Sequence, residues 1–175
     1  MKTGLLTFYH IHHYGAALQA AALVRAVESL GAECETIDYY VNQDNALLRP
    51  VSGASSLVAN AHTALHWKAL DRRYRRFEDF GKAYFHLTPR RYETPEALRQ
   101  SPPSYDALIC GSDQIWNPLI FPDRRFDPVF FGAFFAGRKI AYAPSFGLSR
   151  LPEGMAGELR ELLTGFSHLS VREEA

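Results

Sequence analysis

The chain has only two cysteines, Cys34 and Cys110, both in apolar, strand-like settings. That excludes a disulfide framework and predicts buried free thiols in a reducing, cytoplasmic compartment. Neither sign of charge is in excess. Lys plus Arg and Asp plus Glu both number 19, so the basic surplus of a nucleic-acid binder is missing. The longest apolar stretch, Val129 to Ala136, is far short of a membrane span, and the few apolar residues before Tyr9 are too short for a signal-peptide core. No Gly-Lys-Ser/Thr occurs, which removes a P-loop. A dinucleotide fingerprint needs three glycines in the first turn, and Gly15 is the only one between Phe8 and Leu30. Asp38 sits where a ribose-binding acid would, but alone it does not carry a nicotinamide enzyme. There is no internal repeat and no low-complexity segment.

What is present is a core and a rhythm. With 47% hydrophobic residues in 175, the chain can bury the interior of one globular domain. Gly4 to Phe8 reads as a strand, Ala16 to Leu30 as a helix closed by Gly31, and Cys34 to Asp38 as a second strand, completing a βαβ unit. A helical pattern runs through Val58, Ala61, Leu65, Leu70, Tyr74, Phe77, Phe80 and Tyr84, read as one long or broken helix ending near Gly81, with Ser55 or Ser56 as N-cap. Its arginines, Arg72, Arg73, Arg75 and Arg76, fall mostly off the apolar stripe. A solvated face is the favoured expectation, ahead of an anion patch suited to an acidic polysaccharide or a lipid-linked pyrophosphate.

Thr94-Pro95-Glu96 predicts a capped short helix to about Gln100, and Ser101-Pro-Pro-Ser104 breaks the chain before the next strand. Pro118 to Pro128 predicts an irregular loop. Lys139 to Gly147 reads as a strand running into a polar loop. Pro152 opens a helix carrying Met155, Leu159, Leu162, Leu163 and Phe166, followed by a strand at His168 to Val171.

The densest chemistry lies at Cys110-Gly-Ser-Asp-Gln-Ile-Trp-Asn-Pro118, directly after the apolar run that starts at Asp106. Ligands of open α/β sheets bind in the crevice beyond the carboxyl ends of the strands, where this segment falls. Gly111 permits a sharp turn or a close approach. Asp113 can take a proton or bind a hydroxyl, Ser112, Gln114 and Asn117 donate and accept, and Trp116 offers a flat face. The plainer expectation is a polar turn with Asp113 as a cap and Trp116 in the core.

Four segments, Tyr14-Gly-Ala-Ala-Leu-Gln19, Gly111-Ser-Asp-Gln-Ile-Trp-Asn117, Ala141-Tyr-Ala-Pro-Ser-Phe-Gly147 and Ser170-Val-Arg-Glu173, together resemble the polysaccharide pyruvyl transferase family. They occur in the family's order and span nearly the whole chain. The second is the most specific. One departure is His13, where the family usually carries Asn. The resemblance implies an α/β, Rossmann-like parallel sheet flanked by helices, forming the N-terminal half of a glycosyltransferase-B-type protein. It also implies transfer of a pyruvyl group from phosphoenolpyruvate to two sugar hydroxyls, giving a ketal and releasing phosphate. Such chemistry serves exopolysaccharide or cell-wall biosynthesis.

On that basis residues 1–175 are expected to supply the acceptor side. The sugar or polysaccharide acceptor, lipid-linked in some cases, would bring the protein to the inner face of a membrane. The donor phosphate would fall to a C-terminal half beyond Ala175, and the isolated chain is expected to be inactive. Phosphoenolpyruvate acts as donor substrate and no cofactor is expected. Asp113 and His13 are the catalytic candidates. Tyr14, Gln19, Ser112, Gln114, Trp116, Asn117, Ser145 and Arg172 are the substrate-binding candidates. His10, His12 and His13 lack a nearby Cys, Asp or Glu to complete a metal set, so hydrogen bonding or acid–base help is preferred to metal. A nucleotide-sugar glycosyltransferase and a non-catalytic carbohydrate-binding module remain the alternatives.

Overall fold

The structure is a computed structural model that describes residues 1–40 and 57–173, with side chains of the second stretch described from His66 onward. Five parallel strands form one sheet in the order β2-β1-β3-β4-β5. They are β1 (Lys2–Leu6), β2 (Glu33–Thr36), β3 (Ala107–Cys110), β4 (Arg138–Ala141) and β5 (Phe166–Leu169). The helices are α1 (Tyr14–Ser29), α2 (Leu57–Tyr84), α3 (Pro95–Gln100) and α4 (Ala156–Leu162). This is the α/β, Rossmann-like class expected from the sequence.

Period-2 alternation in the strands splits the core into two layers. Leu5 and Cys34 face α1, joining Ala20, Leu23, Val24 and Val27. Ala16, Ala17, Ala20 and Ala21 are buried on the same helix, so small side chains let its backbone lie close to the sheet. Leu6, Leu108 and Cys110 face the opposite way, into an aromatic layer with Trp116, Phe130 and Phe131. Each fully buried Leu, Val or Phe contributes about 1.5–3 kcal/mol of transfer free energy.

Local signals explain most boundaries. Gly31 adopts φ +81° just past α1, a left-handed conformation that costs glycine little. Thr94 accepts a hydrogen bond from the Ala97 amide at 3.2 Å, and Pro95 opens α3, as the sequence predicts. The Pro118–Pro128 loop holds one short 3-10 turn, Pro118–Ile120, and a second, Pro128–Phe131, follows directly.

Two expectations need correction. The helix expected from Pro152 through Phe166 is shorter at both ends: α4 begins at Ala156 and ends at Leu162, Gly165 turns at φ +86°, and Phe166 begins β5. The long central helix continues past Gly81 to Tyr84. Its expected caps Ser55 and Ser56, and the side chains of Val58, Ala61 and Leu65, lie outside the described residues. Cys34 and Cys110 are buried free thiols, and burial pushes both up to about 12.

Candidate functional site

In the 2-1-3-4-5 strand order the crevice opens between β1 and β3, whose following chains leave in opposite directions. Leu6 and Cys110 end these strands in register. The loop from Thr7 to His13 and the loop from Gly111 to Asn117 therefore meet at this edge. A closed ring of hydrogen bonds joins them. Gln19 Nε2 donates to Thr7 Oγ1 at 3.2 Å, Thr7 Oγ1 donates to the Ser112 carbonyl at 3.1 Å, and Ser112 Oγ donates to Gln19 Oε1. Gln19 and Ser112, both candidates from sequence, are thus brought together, with Thr7 as a third member that the sequence did not single out.

Gly111 must be glycine here. Its φ is +126°, and a Cβ would collide with the Tyr142 carbonyl oxygen. Asp113 follows at φ +76°, a conformation that non-glycine residues rarely adopt and that clusters at functional sites. One of its carboxylate oxygens accepts from the Gln114 amide at 2.8 Å, and its carbonyl accepts from the Ser145 amide at 2.7 Å. It is half-buried, and among the described residues no ion pair neutralises it. Asp113 is therefore a half-exposed carboxylate held rigidly by its own backbone, not a helix cap.

The rest of the segment builds the loop. Trp116 is 0% exposed. Its indole stacks on Phe131 at 4.7 Å and 5°, and Nε1 donates to the Phe130 carbonyl at 3.0 Å. With both ends occupied inside the aromatic layer, the ring has no free face for a sugar. The stacking role expected for Trp116 is corrected to a core role. Asn117 is buried too, donating to Gln114 Oε1 at 2.9 Å and accepting from the Leu119 amide at 3.0 Å. Gly147, at φ +61°, leaves room for this amide pair: a Cβ there would lie 2.5 Å from Gln114 Oε1 and 2.7 Å from Asn117 Nδ2.

Ser145 does not point to the rim as expected. It is fully buried and donates to Glu173, while the Gly147 amide bonds Ser145 Oγ at 3.0 Å and Glu173 Oε1 at 3.2 Å. Burial would raise the Glu173 carboxyl, but hydrogen bonds from Ser145 and the loop amides outweigh it and hold Glu173 below the usual range. Arg172 is exposed, its amide bonded to the Pro144 carbonyl at 3.2 Å. Its guanidinium makes no ion pair among the described residues.

The first loop brings in chemistry of its own. His13 Nδ1 accepts from the Ala16 amide at 3.4 Å and caps α1. A side-chain acceptor at that position satisfies a first-turn amide, so His13 has a structural part in starting the helix. Tyr14, 65% exposed, opens the helix. Beside it lies a hollow of about 310 Å³ whose walls include Tyr9, His10, His12, Tyr40, Glu78 and Arg91. Tyr9 donates to Asp38, and Arg91 Nε bonds both Asp38 oxygens at 3.1 Å. Burial, then the Asp38 hydrogen bond and charge, push the Tyr9 phenol far above its ordinary range, so it remains a donor. Asp38 is thus committed to Tyr9 and Arg91. His12 is buried against Phe77 and Tyr74, with Nε2 3.2 Å from Glu78 Oε1. Among the described residues no three His, Cys, Asp or Glu side chains converge as a metal set. Arg91 and Tyr40 gave no motif signal; only the strand-end position of Asp38 hinted at this wall.

By fold and by the placement of its polar loops, this is a Rossmann-like α/β domain with its crevice at the β1/β3 switch point. The chain belongs to the polysaccharide pyruvyl transferase family, whose model matches residues 13–175. Membership makes it a transferase, with polysaccharide as its acceptor class. No curated protein and no solved structure matches it. No helix among the described residues is long and apolar enough to cross a membrane.

Proposed function

We propose that the protein transfers a pyruvyl group from phosphoenolpyruvate to two hydroxyls of a sugar in a polysaccharide or its precursor. The family match over residues 13–175 carries this reading. The half-buried, ion-pair-free Asp113 at the switch point supports it. In the first step one sugar hydroxyl adds across the enol double bond. An oxygen–carbon bond forms at C2, and C3 takes up a proton to become methyl. In the second, the other hydroxyl attacks C2, the bond from C2 to the phosphate oxygen breaks, and phosphate leaves with the hydroxyl proton. The product is a cyclic ketal bearing a carboxylate.

Within this scheme Asp113 is the base that takes a hydroxyl proton, and the Thr7, Gln19 and Ser112 ring fixes the loop that carries it. The hollow beside Tyr9 and His12 combines aromatic walls with hydrogen-bonding groups, the mixture that suits a sugar. We assign this chain the acceptor side of a two-part, glycosyltransferase-B-type enzyme working in the cytoplasm. The donor phosphate is assigned to a second, C-terminal half. The deciding experiment measures, on the two-part enzyme with both halves present, phosphate release from phosphoenolpyruvate with a panel of glycan acceptors, with mass analysis for the ketal. Release of the nucleotide from a nucleotide sugar instead, with the sugar passed to the acceptor, or glycan binding with no turnover under any donor, would overturn the assignment.

A further inference from the structure

A second concavity, also about 310 Å³, lies between α1 and α2. Its floor includes Ala17, Leu18, Phe77 and Phe80, and its rim carries Arg72, Arg73 and Arg76. Large apolar side chains are exposed on and beside it: Tyr14 at 65%, Leu18 at 60% and Trp67 at 49%. Between Trp67 and Phe80 the sequence places five cations, Lys68, Arg72, Arg73, Arg75 and Arg76, against three carboxylates. Two of those carboxylates are occupied, Asp71 by Arg75 at 2.8 Å and Glu78 by His12 at 3.2 Å. Arg73 is held in place by the His12 carbonyl at 3.3 Å and lies over the rings of Tyr14 and Phe77 at 5.7 and 5.8 Å. Arg72 and Arg76 make no ion pair among the described residues. All four arginines are exposed, as expected of a solvated face, and Arg73 is in addition bonded to the first loop.

We propose that this groove docks the phosphate head of an anionic lipid. The phosphate lies on Arg72, Arg73 and Arg76, and the adjoining carbons lie on Leu18, Tyr14, Phe77 and Phe80. Guanidinium forks match phosphate oxygens two at a time, and a pre-placed fork loses less freedom on binding than a free one. A soluble anion would use the arginines and leave the apolar floor wet. A nucleic acid or acidic glycan would gain nothing from Leu18 and Phe80. Exposed aromatic and aliphatic side chains beside unpaired cations are what a headgroup layer accommodates. The proposal deepens the acceptor reading, since Tyr14 both lines the groove and opens α1 at the crevice. A glycan carried on such a lipid would meet the first loop. Lipid docking is measured without turnover, so the two can fail separately.

The test is co-sedimentation of the purified chain with vesicles of phosphatidylcholine, with and without phosphatidylglycerol. Binding is expected only when phosphatidylglycerol is present. A cation near an anionic surface is worth roughly fivefold in affinity, so Arg72→Gln with Arg76→Gln should weaken binding about thirtyfold. Leu18→Ser, an exposed position that leaves the core intact, should weaken it as well. Circular dichroism confirms that each variant is folded. Equal binding to both vesicle types, or a double arginine variant that binds like the parent, would overturn the proposal. So would displacement by inorganic pyrophosphate with no effect of Leu18→Ser, which would identify a soluble phosphate ligand. Self-association abolished by Leu18→Ser, without vesicle binding, would make the occupant a second copy of the chain.

Discussion

Replacing Trp116 separates a core role from a carbohydrate-stacking role. The side chain is 0% exposed, lies flat on Phe131 at 4.7 Å, meets Phe166 edge-on at 5.8 Å, and donates to the Phe130 carbonyl at 3.0 Å. Truncation to alanine removes the indole from a packed layer, which costs about 3–5 kcal/mol. It also leaves the Phe130 carbonyl without its donor, adding about 1 kcal/mol. Against a total stability of about 5–15 kcal/mol for a domain, Trp116→Ala should lose a large fraction or fail to fold. Trp116→Phe keeps a ring against Phe131 and loses only the N–H and part of the volume, so about 1–3 kcal/mol is expected. Urea unfolding followed by far-ultraviolet circular dichroism reads both, since that signal does not depend on the tryptophan removed. Equilibrium titration of a bound glycan on the milder variant supplies the other arm. A Trp116→Phe protein of parental stability that no longer binds acceptor would refute the core assignment.

In the two-part enzyme with both halves present, Asp113→Asn should lower phosphate release by about a hundredfold or more while leaving the unfolding midpoint nearly unchanged; parental activity would reduce Asp113 to a turn residue. Gln19→Leu removes the partner of both Thr7 and Ser112, and a cost of about 1–3 kcal/mol should appear in urea unfolding, with no loss indicating that the ring is optional. Burial that pushes Cys34 and Cys110 up to about 12 predicts negligible iodoacetamide labelling of native protein near neutral pH and full labelling in urea, read by mass spectrometry. The Glu173 carboxyl lies lower folded than unfolded, so its stabilisation is present above the ordinary carboxylate range, roughly pH 4, and disappears as pH falls through the folded value. The stability gap between parent and Glu173→Gln should therefore close in acid, and a gap that stays constant would show the network does not depend on the charge.

The architecture was largely written in local signals. Short apolar runs around Leu5, Leu108 and Ile140 bounded by polar turns, Gly31 just past α1, and the Thr94–Pro95 cap each specify an element from neighbours in sequence. Phe166 misled for the same reason. It continues the helical spacing of Leu159 and Leu162, and only Gly165 signals that the chain has already turned into β5. Short apolar runs fit helix and strand equally well, and tertiary pairing with β4 decides between them.

The site was legible as a place but not as a set of roles. A polar residue just past a strand can face the crevice or fold back on the protein, and its own sequence does not say which. Ser145 folds back because Glu173, 28 positions later, offers it a carboxylate at the end of the neighbouring strand. Asn117 and Gln114 bond each other because Gly147 leaves room for them. A motif this specific therefore owes much of its pattern to folding a tight loop, with Trp116 anchoring it from beneath. The residues left for chemistry are those the loop does not consume: the Asp113 carboxylate, the Tyr14 ring and the Arg172 guanidinium. The wall from Tyr9 to Arg91 adds groups that only the folding of distant segments brings alongside. Asp113 is the carboxylate of that specific segment which the fold leaves half-exposed, and for that reason it carries the mechanistic proposal.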